Sequence, residues 1–423
     1  MNDMKKTNAP HVIVIGGGPA GMCAALAAAS VGCDVDLFEQ NEKLGKKLYI
    51  TGKGRCNLTN DCDRETFFEN VMRNPRFLYS AYAAFNQYDL MDLIENAGCP
   101  LKTERGNRVF PVSDKSSDII KAFSKALDPA GVRVHFNSKV MQILTEPCED
   151  DGTKVTGVML DDGRRFFADR VIMATGGVSY RSTGSDGFGL KLAGELGHNL
   201  TPVRPSLVGL TTKEDWPAQL QGLSLRNVTL TLKKNDKRIY KEQGEMLFTH
   251  FGISGPLVLT ASAKMDGAPA DYKVELDLKP ALSEEQIRNR ILRDFEKHSK
   301  KKLENGLAEL LPKRMIPIVI QQAGIDPKKY INQIVKKERI KLEQLLKCLP
   351  ISITGFAPMD TAIITAGGVS VKDVRSKDMT SKKVQGLSFA GEMLDVDALT
   401  GGFNIQIACS TGWLAGINAE SNE

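Results

Sequence analysis

The chain has 423 residues, of which 42% are hydrophobic and 25% charged, and its formal net charge is +5. This composition is typical of a globular protein with a large core, and it excludes a disordered, collagen-like or fibrous chain. Eight cysteines without a C-x-x-C pair, no signal-peptide pattern and no apolar stretch of membrane-spanning length indicate a cytoplasmic protein without a metal site or a membrane partner.

The first 40 residues predict a βαβ unit that binds a dinucleotide. An apolar strand over residues 11–15 leads into Gly16-x-Gly18-x-x-Gly21, a helix follows, and the second strand ends at Glu39. The first glycine allows a tight turn, the second lets a pyrophosphate approach the backbone, and the third permits close packing of helix and strand. The helix N-terminus attracts the phosphates, and the Glu39 carboxylate can accept hydrogen bonds from the ribose hydroxyls.

This motif does not choose between NAD and FAD, but two later segments favour FAD. A strand over residues 170–174 runs into Thr175-Gly176, and another apolar strand runs into Gly391-Glu392-Met393-Leu394-Asp395. FAD proteins of the glutathione-reductase type have such segments beside the flavin. Because only one Gly-x-Gly-x-x-Gly is present, we expect NAD(P)H to visit transiently as the electron donor.

Two polar, glycine-rich segments are predicted to contact the flavin ring. Residues 51–57 (TGKGRCN) follow the second strand and offer the Arg55 cation and the Asn57 amide. Cys56 is expected to be a small apolar filler, because its C-x5-C spacing to Cys62 differs from the redox pair of disulfide reductases. Residues 401–404 (GGFN) open the last helix and present backbone N–H groups to a flavin carbonyl.

We therefore predict a set of cofactor-binding residues and a shorter set of catalytic candidates. The FAD-binding set is Gly16, Gly18, Pro19, Ala20, Gly21, Glu39, Lys47, Thr51, Gly52, Gly54, Arg55, Cys56, Asn57, Thr175, Gly176, Asp186, Gly391, Glu392, Asp395, Gly401, Gly402, Phe403 and Asn404. Asp186 belongs to a Ser-Asp-Gly segment similar to the Gly-Asp-Gly of fumarate-reductase-like flavoproteins. The catalytic candidates are Arg55, Tyr180 and His250, each able to polarise a carbonyl or donate a proton.

The middle of the chain predicts two nested insertions. Short strands follow one another between residues 202 and 279, including residues 257–263 and 272–278, and the pattern becomes helical from the capping box at Ser283 to residue 347. The predicted fold is α/β, a glutathione-reductase-type FAD-binding domain interrupted by a β-barrel-like domain that itself carries a helical insert. The expected boundaries are 1–200 and 355–423 for the FAD-binding domain, 201–280 with 343–354 for the barrel, and 281–342 for the helices.

The positive charge is concentrated in the helical insert. Residues 279–347 contain 17 Lys and Arg against nine Asp and Glu, so their net charge of +8 exceeds the +5 of the whole chain. A localised basic surface is the footprint expected for RNA phosphates, but a solvated helical surface has the same composition. Aromatic side chains for base stacking are sparse there.

Long motifs over essentially the whole chain resemble the BaiN-like family of FAD-binding oxidoreductases, also called YhiN-like or aminoacetone-oxidase-like. They are TGKGRCNLTN (51–60), ATGGVSYRSTGSDGFG (174–189), FTHFGISGP (248–256), TAGGVS (365–370) and GEMLDVDALTGGFNIQIACSTG (391–412). The resemblance implies FAD-dependent reduction of an enone-type C=C bond, in a steroid or bile-acid intermediate or in a uridine of ribosomal RNA. We favour the small-molecule substrate, and keep a dihydrouridine synthase, an amine oxidase and a non-catalytic flavin sensor as alternatives. The sequence does not define the oligomeric state.

Overall fold

The computed structural model describes residues 9–148 and 152–420 and divides the chain into two compact units. Unit 1 combines residues 1–206 with residues 362–423, and unit 2 comprises residues 207–361. The chain therefore leaves unit 1 once, completes unit 2 and returns. The predicted boundaries of the nested domains stay predictions.

The strands of the two units are numbered in chain order. They are β1 (His11–Ile15), β2 (Asp34–Phe38), β3 (Thr59–Asn60), β4 (Leu101–Glu104), β5 (Arg108–Pro111), β6 (Arg133–His135), β7 (Val140–Cys148), β8 (Gly152–Leu160), β9 (Arg165–Phe167), β10 (Arg170–Met173), β11 (Leu200–Ser206), β12 (Leu210–Thr212), β13 (Ser224–Lys234), β14 (Lys237–Thr249), β15 (Gly252–Ser254), β16 (Tyr272–Asp277), β17 (Leu349–Phe356), β18 (Ile364–Val369), β19 (Val384–Gln385) and β20 (Leu387–Phe389).

The α-helices are numbered in the same way. They are α1 (Pro19–Ser30), α2 (Lys46–Ile50), α3 (Arg64–Glu69), α4 (Tyr79–Ala84), α5 (Gln87–Asn96), α6 (Ser116–Leu127), α7 (Phe188–Glu195), α8 (Trp216–Gln219), α9 (Pro256–Ala263), α10 (Glu284–Lys297), α11 (Leu303–Gly306), α12 (Ile316–Ala323), α13 (Lys336–Lys347) and α14 (Phe403–Ile417).

Unit 1 is built on a five-stranded parallel sheet in the order β20-β10-β1-β2-β6. Its central strand β1 is a run of Val and Ile whose last four residues are buried, as expected for a parallel strand covered on both faces. Three smaller sheets complete the unit: β19-β8-β7 with β9, β3-β5-β4, and the antiparallel pair β11-β18. The carboxyl ends of β1, β2 and β10 bring the predicted nucleotide loop, Glu39 and Thr175 to one edge.

Unit 2 is a closed antiparallel barrel of six strands in the order β12-β15-β14-β13-β16-β17, with helices attached. Side chains of the barrel, such as Leu230 and Leu276, share one hydrophobic core with side chains of the helices, such as Ile287 and Leu342. The capping box predicted at Ser283 is present, because its Oγ accepts from the N–H of Gln286 while the Gln286 side chain accepts from the Ser283 N–H. The predicted α/β fold with a barrel insertion is confirmed.

One predicted strand of unit 2 is wrong. Residues 257–263 form most of the helix α9, not a strand. Gly255 adopts φ = 94° and Pro256 begins the helix, a combination that suits a helix start because proline needs no hydrogen-bond acceptor there. A short apolar run has no periodicity that separates a buried strand from a buried helix.

Among the described residues, no helix has both the length and the apolar character needed to cross a bilayer.

Candidate functional site

The glycine loop of unit 1 opens the candidate site. A Cβ on Gly16 would lie 2.5 Å from the Ala174 carbonyl oxygen, and one on Gly21 would lie 1.8 Å from the Gly16 oxygen. A Cβ on Gly18, in contrast, would meet nothing within 4 Å. Packing therefore requires two of the glycines, whereas Gly18 borders open space at the start of α1. No side chain caps this twelve-residue helix, so its first N–H groups suit a pyrophosphate.

The acidic residue of the motif lies against the same loop. Glu39 is buried, and its Oε2 accepts a hydrogen bond from the Gly17 N–H at 2.7 Å. Its Oε1 accepts from the backbone and side-chain nitrogens of Asn41 at 2.8 and 2.5 Å. The carboxylate is thus fixed beside the nucleotide loop, where the sequence predicts that it binds a ribose.

Two predicted FAD-binding residues form an ion pair with each other. Lys47 Nζ donates to Glu392 Oε2 at 2.6 Å and to Ser179 Oγ at 2.7 Å. Glu392 Oε1 in turn accepts from Ser179 Oγ at 3.1 Å and from the Thr365 N–H at 2.9 Å. This network joins α2, the turn after β10, the strand β18 and the segment after β20. It links the predicted cofactor residues Lys47 and Glu392 directly.

The segment containing Thr51, Gly52 and Gly54 is a 3₁₀ turn with left-handed residues. The strand β3, which follows it, lies against the start of α14. Asn60 Nδ2 donates to the Gly401 carbonyl at 3.0 Å, and a Cβ on Gly402 would lie 2.3 Å from the Thr59 oxygen. Asn57 Oδ1 is buried and has no hydrogen-bond partner among the described residues. A buried acceptor of this kind needs a donor, and the imide N–H of a flavin ring is such a donor.

The helix α14 supplies a second uncapped N-terminus, and Phe403 is its first residue. A Cβ on Gly412 would lie 2.1 Å from the Ala20 oxygen, and one on Gly416 would lie 2.3 Å from the Ala24 oxygen. The two helices therefore run parallel in close contact. Since Gly412 lies beside Ala20, the residue before α1 (Gly18) is level with position 410 of α14. Gly402, the residue before α14, is eight residues further back, so the two N-termini lie roughly 12 Å apart along the axis. Such a separation suits a cofactor with a pyrophosphate at one end and a ring at the other.

The remaining predicted cofactor residues fall into two groups. Thr175 and Gly176 contact the loop that carries Asp186, since Cβ atoms on Gly176 and Gly189 would collide with Ser185 and Thr175. Asp186 accepts from the Phe188 N–H at the start of α7, and from Lys139.

Gly391, with φ = 75°, and Asn404 make structural contacts within unit 1. A Cβ on Gly391 would lie 2.8 Å from the Ala20 Cβ, and the Asn404 side chain bonds both backbone groups of Ala398. Their contacts with FAD stay predictions.

The three catalytic candidates have different surroundings. Arg55 donates to Glu104 at 2.5 Å and to Asp114 at 2.5 and 2.8 Å, and its guanidinium stacks over Phe110. Its charge is therefore already balanced by two carboxylates.

The other two candidates lie in different units. Tyr180 has a left-handed φ of 53° in unit 1, and its carbonyl accepts from Thr183. His250 is exposed in the turn between β14 and β15 of unit 2, edge-on to Phe251. The catalytic roles of all three candidates stay predictions.

Cys56 and Cys62 are buried thiols. Cys56 is fully buried and free, and burial raises its pKa to about 12. Burial, with Asp63 nearby, raises the pKa of the free Cys62 to about 11. Both thiols are thus protonated at neutral pH, which agrees with the expected filler role of Cys56 and not with disulfide redox chemistry.

The sequence gives no signal for one polar residue of unit 1, Arg204. The Nη1 and Nη2 atoms of Arg204, on β11, are buried and have no hydrogen-bond partner among the described residues. Asp395 Oδ1 is likewise buried and has no partner among the described residues, although Asp395 Oδ2 accepts a hydrogen bond from Thr201. No sequence signal marks Arg204, since it is one arginine between two prolines in an irregular strand.

Comparison with known proteins gives one family and several relatives. The model of the HI0933-like protein Rossmann domain matches residues 10–418. The 3-dehydro-bile acid delta(4,6)-reductase of Clostridium scindens is 31% identical over 95% of this chain and 97% of its own length. The ribosomal RNA dihydrouridine synthases of Escherichia coli and Haemophilus influenzae are each 31% identical, over 95% and 96% of this chain and 96% and 97% of their own lengths.

Solved structures share the fold at low sequence identity. The 3-ketosteroid-delta4-(5alpha)-dehydrogenase of Rhodococcus jostii has a TM-score of 0.52 at 16% identity, over 100% of this chain and 99% of its own. The 3-ketosteroid delta1-dehydrogenase of Sterolibacterium denitrificans has a TM-score of 0.51 at 12% identity, over 99% and 100%. These likenesses concern the fold alone.

Proposed function

This chain belongs to the HI0933-like family, the one resembled by its BaiN-like motifs, and from that premise we propose that it is an FAD-dependent reductase of a C=C bond conjugated to a carbonyl. One observation carries the proposal. Relatives of equal identity over nearly the whole chain are named for reducing a bile-acid intermediate and for making dihydrouridine. Both reactions saturate a C=C bond beside a carbonyl group, so one reaction class covers both.

The residues of unit 1 support FAD as the cofactor. The open space at Gly18, the uncapped starts of α1 and α14 and the unpartnered Asn57 Oδ1 suit its phosphates and its ring. When bound, FAD accepts a hydride from a donor and passes it to a carbon acceptor. The positive end of α14 would stabilise negative charge on the pyrimidine side of the ring.

We further propose NAD(P)H as the donor and a steroid- or bile-acid-like enone as the substrate. The protein supplies binding, orientation and a proton, with Tyr180 or His250 as the proposed acid. The test is anaerobic reduction of the purified yellow protein with NADH and with NADPH, followed by mixing with a steroid enone or with unmodified ribosomal RNA. Reoxidation by either acceptor is expected. Reoxidation by oxygen alone would contradict both reductase proposals and favour an oxidase, for instance of amines.

A uridine of ribosomal RNA is the second candidate substrate, and a surface of unit 2 favours it. Lys302 and Tyr330 form an isolated β-bridge, and the Ile331 N–H donates to the Lys301 carbonyl at 3.0 Å. These backbone contacts bring the segment of the exposed Lys301 and Lys302 beside the segment of Tyr330, a residue that is 46% exposed. We call this the basic patch; its members are Lys300, Lys301, Lys302, Lys328 and Tyr330. Cations beside an exposed ring suit a nucleic acid strand, through phosphate contacts and base stacking.

A further inference from the structure

Arg204 of unit 1 has two buried terminal nitrogens without partners among the described residues. Both Nη atoms are shielded from solvent, and neither has an acceptor among the described residues. Removing a guanidinium from water without an acceptor is strongly unfavourable. An arginine in this state is therefore suited to an acceptor that arrives with a ligand.

The strand pairing places Arg204 on the same face of β11 as Ser206. Arg204 and Ser206 lie opposite Ala366 and Ile364 of β18 in regular register, so their side chains point to the same face. On that face Ser206 Oγ donates to Asp397 Oδ2 at 2.9 Å. Thr201 Oγ1, at the other end of β11, donates to Asp395 Oδ2 at 2.9 Å. Arg204 thus belongs to the layer in which hydroxyl groups of β11 contact Asp395 and Asp397.

The acceptors of this layer are not equally available. Asp397 is fully buried and already accepts from Arg73 Nη1 at 2.6 Å as well as from Ser206. Asp395 keeps one buried oxygen, Oδ1, without a partner. Among the described residues of this layer, two terminal nitrogens of Arg204 and one oxygen of Asp395 are therefore unpartnered. A ligand carbonyl oxygen, with two lone pairs, can accept from both nitrogens of Arg204.

We propose that Arg204 binds the carbonyl oxygen of the substrate, an inference that rests on the proposed function. Reduction of a conjugated C=C bond adds a hydride, which carries both electrons, to the β-carbon and a proton to the α-carbon. Negative charge develops on the carbonyl oxygen before the proton arrives, and a fixed guanidinium stabilises it. The hydride would come from the bound cofactor and the proton from a separate acid or water, while Arg204 would transfer neither. Arg55, the candidate from sequence, is instead neutralised by Glu104 and Asp114.

A steroid enone and a uracil ring share this oxygen, and they differ in one group. The N–H beside the uracil carbonyl can donate to Asp395 Oδ1, whereas a steroid enone offers no donor. Arg204→Gln should therefore slow the reduction of both acceptors, and Asp395→Asn should slow the reduction of RNA more than that of the steroid.

The first measurement separates the half-reactions of the holoenzyme. In Arg204→Gln the FAD content and the rate of flavin reduction by NAD(P)H or dithionite should match those of the wild type. Reoxidation by the preferred acceptor should slow about 100-fold, the usual effect of losing one oxyanion donor. Arg204→Lys should recover part of the rate, and added guanidinium ions should partly rescue Arg204→Gln. The matched control is Arg165→Gln, an exposed arginine on β9 of the same unit.

The second measurement does not depend on activity. Because the Nη atoms of Arg204 are buried and have no partner among the described residues, Arg204→Met should raise the Tm of the substrate-free protein. A lowered Tm with loss of FAD would assign Arg204 to the structure or to the cofactor and overturn the inference, as would normal reoxidation of Arg204→Gln. If the wild type itself reduces neither acceptor, the proposed function fails and this inference fails with it. An active wild type with an equally active Arg204→Gln overturns the inference alone.

Discussion

At the scale of single residues, the glycines of the nucleotide loop have separable roles. Gly18 has an ordinary φ of −81° and open space around a Cβ, so Gly18→Val should fold normally and fill only the volume of the pyrophosphate. We expect Gly18→Val to purify colourless, with a Tm within about 2 °C of the wild-type apoprotein. Absorbance at 450 nm and thermal unfolding of the FAD-free proteins test this.

The control for this prediction is the third glycine of the motif. A Cβ on Gly21 would lie 1.8 Å from the Gly16 oxygen, so Gly21→Ala should lower the Tm of the apoprotein itself. A yellow Gly18→Val protein with full FAD occupancy would contradict the assignment of the loop.

A buried carboxylate lies at the centre of a charge cluster in the parallel sheet. Asp36 on β2 accepts from Arg133 at 2.9 Å and from the ring nitrogens of His11 and His135 at 2.6 Å. Burial alone would raise the pKa of Asp36, but the hydrogen bonds from Arg133, His135 and His11 outweigh it and hold the pKa well below its usual range. Since the folded-state pKa is lowered, the cluster stabilises the fold above the unfolded pKa of about 3.9 and loses that contribution at lower pH.

Asp36→Asn should therefore destabilise unit 1 in a pH-dependent way. We expect a loss of about 3 kcal/mol at pH 7, because removal of one partner leaves the other charges of the cluster unbalanced. The difference from the wild type should shrink below about pH 4. Asp34→Asn is the control, since Asp34 pairs with the same arginine but is half-exposed, and it should cost less than about 1 kcal/mol. Urea unfolding at pH 7 and pH 3.5 measures both, and an equal difference at the two pH values would refute the argument.

The sequence indicates which residues form the site better than it indicates which residues they contact. The motif predicts close packing at Gly16 and Gly21, and the structure has that packing because the geometry of the motif is local. The partners of Arg55 come from residues 49 and 59 positions away, and nothing in its own segment announces them. Arg204 was missed for the same reason, because its lack of a partner is a property of the folded layer.

At the scale of elements, the contact between α1 and α14 sets the distance between the two helix N-termini. The contact is close because Gly412 and Gly416 of α14 lie against the backbone of α1. In an exposed helix, Gly→Ala stabilises by up to about 1 kcal/mol. Here the added methyl group would lie 2.1 Å from the Ala20 oxygen, so Gly412→Ala should instead lower the Tm and weaken FAD binding.

Gly194→Ala provides the comparison for that prediction. Gly194 lies in α7, and its Cβ would make an ordinary contact of 3.4 Å with Leu200. It should keep the wild-type Tm or exceed it slightly. Thermal unfolding with FAD titration of the apoproteins distinguishes the two, and an unchanged Gly412→Ala would show that the helices tolerate a wider spacing.

Elements with a clear start signal were predictable, and short apolar runs were not. Ser283 caps the N-terminus of α10 as its capping box predicts, and the glycines before Phe403 mark the start of α14. Residues 257–263 have the same apolar residue types as a buried strand, so the sequence pattern alone does not distinguish the two. In the structure they are helical, and Leu257, Val258 and Ala261 pack into the core of unit 2.

At the scale of the whole molecule, the net charge of +5 conceals an uneven distribution. Residues 279–347 alone carry +8, so the rest of the chain is slightly acidic. Part of the excess is neutralised locally: Lys329 pairs with Glu338 at 2.8 Å, and Lys297 pairs with Glu309 at 3.0 Å. The lysines of the basic patch at positions 300, 301 and 302 are exposed. If unit 2 binds RNA, this patch should carry most of the salt-dependent affinity.

Two triple variants separate the patch from net charge. Replacing Lys300, Lys301 and Lys302 with Glu changes the formal charge from +5 to −1, and so does replacing the exposed Lys121, Lys125 and Lys377 of unit 1. For an RNA-binding patch, the first variant should lose more than about tenfold in affinity for ribosomal RNA. The slope of log affinity against log salt should fall by about 2, because each single-strand phosphate contact contributes roughly 0.7. The second variant should stay close to the wild type, and filter binding between 50 and 200 mM salt measures both. Equal losses in the two variants would mean that only overall charge matters, which would remove the structural support for an RNA substrate and favour the small-molecule enone.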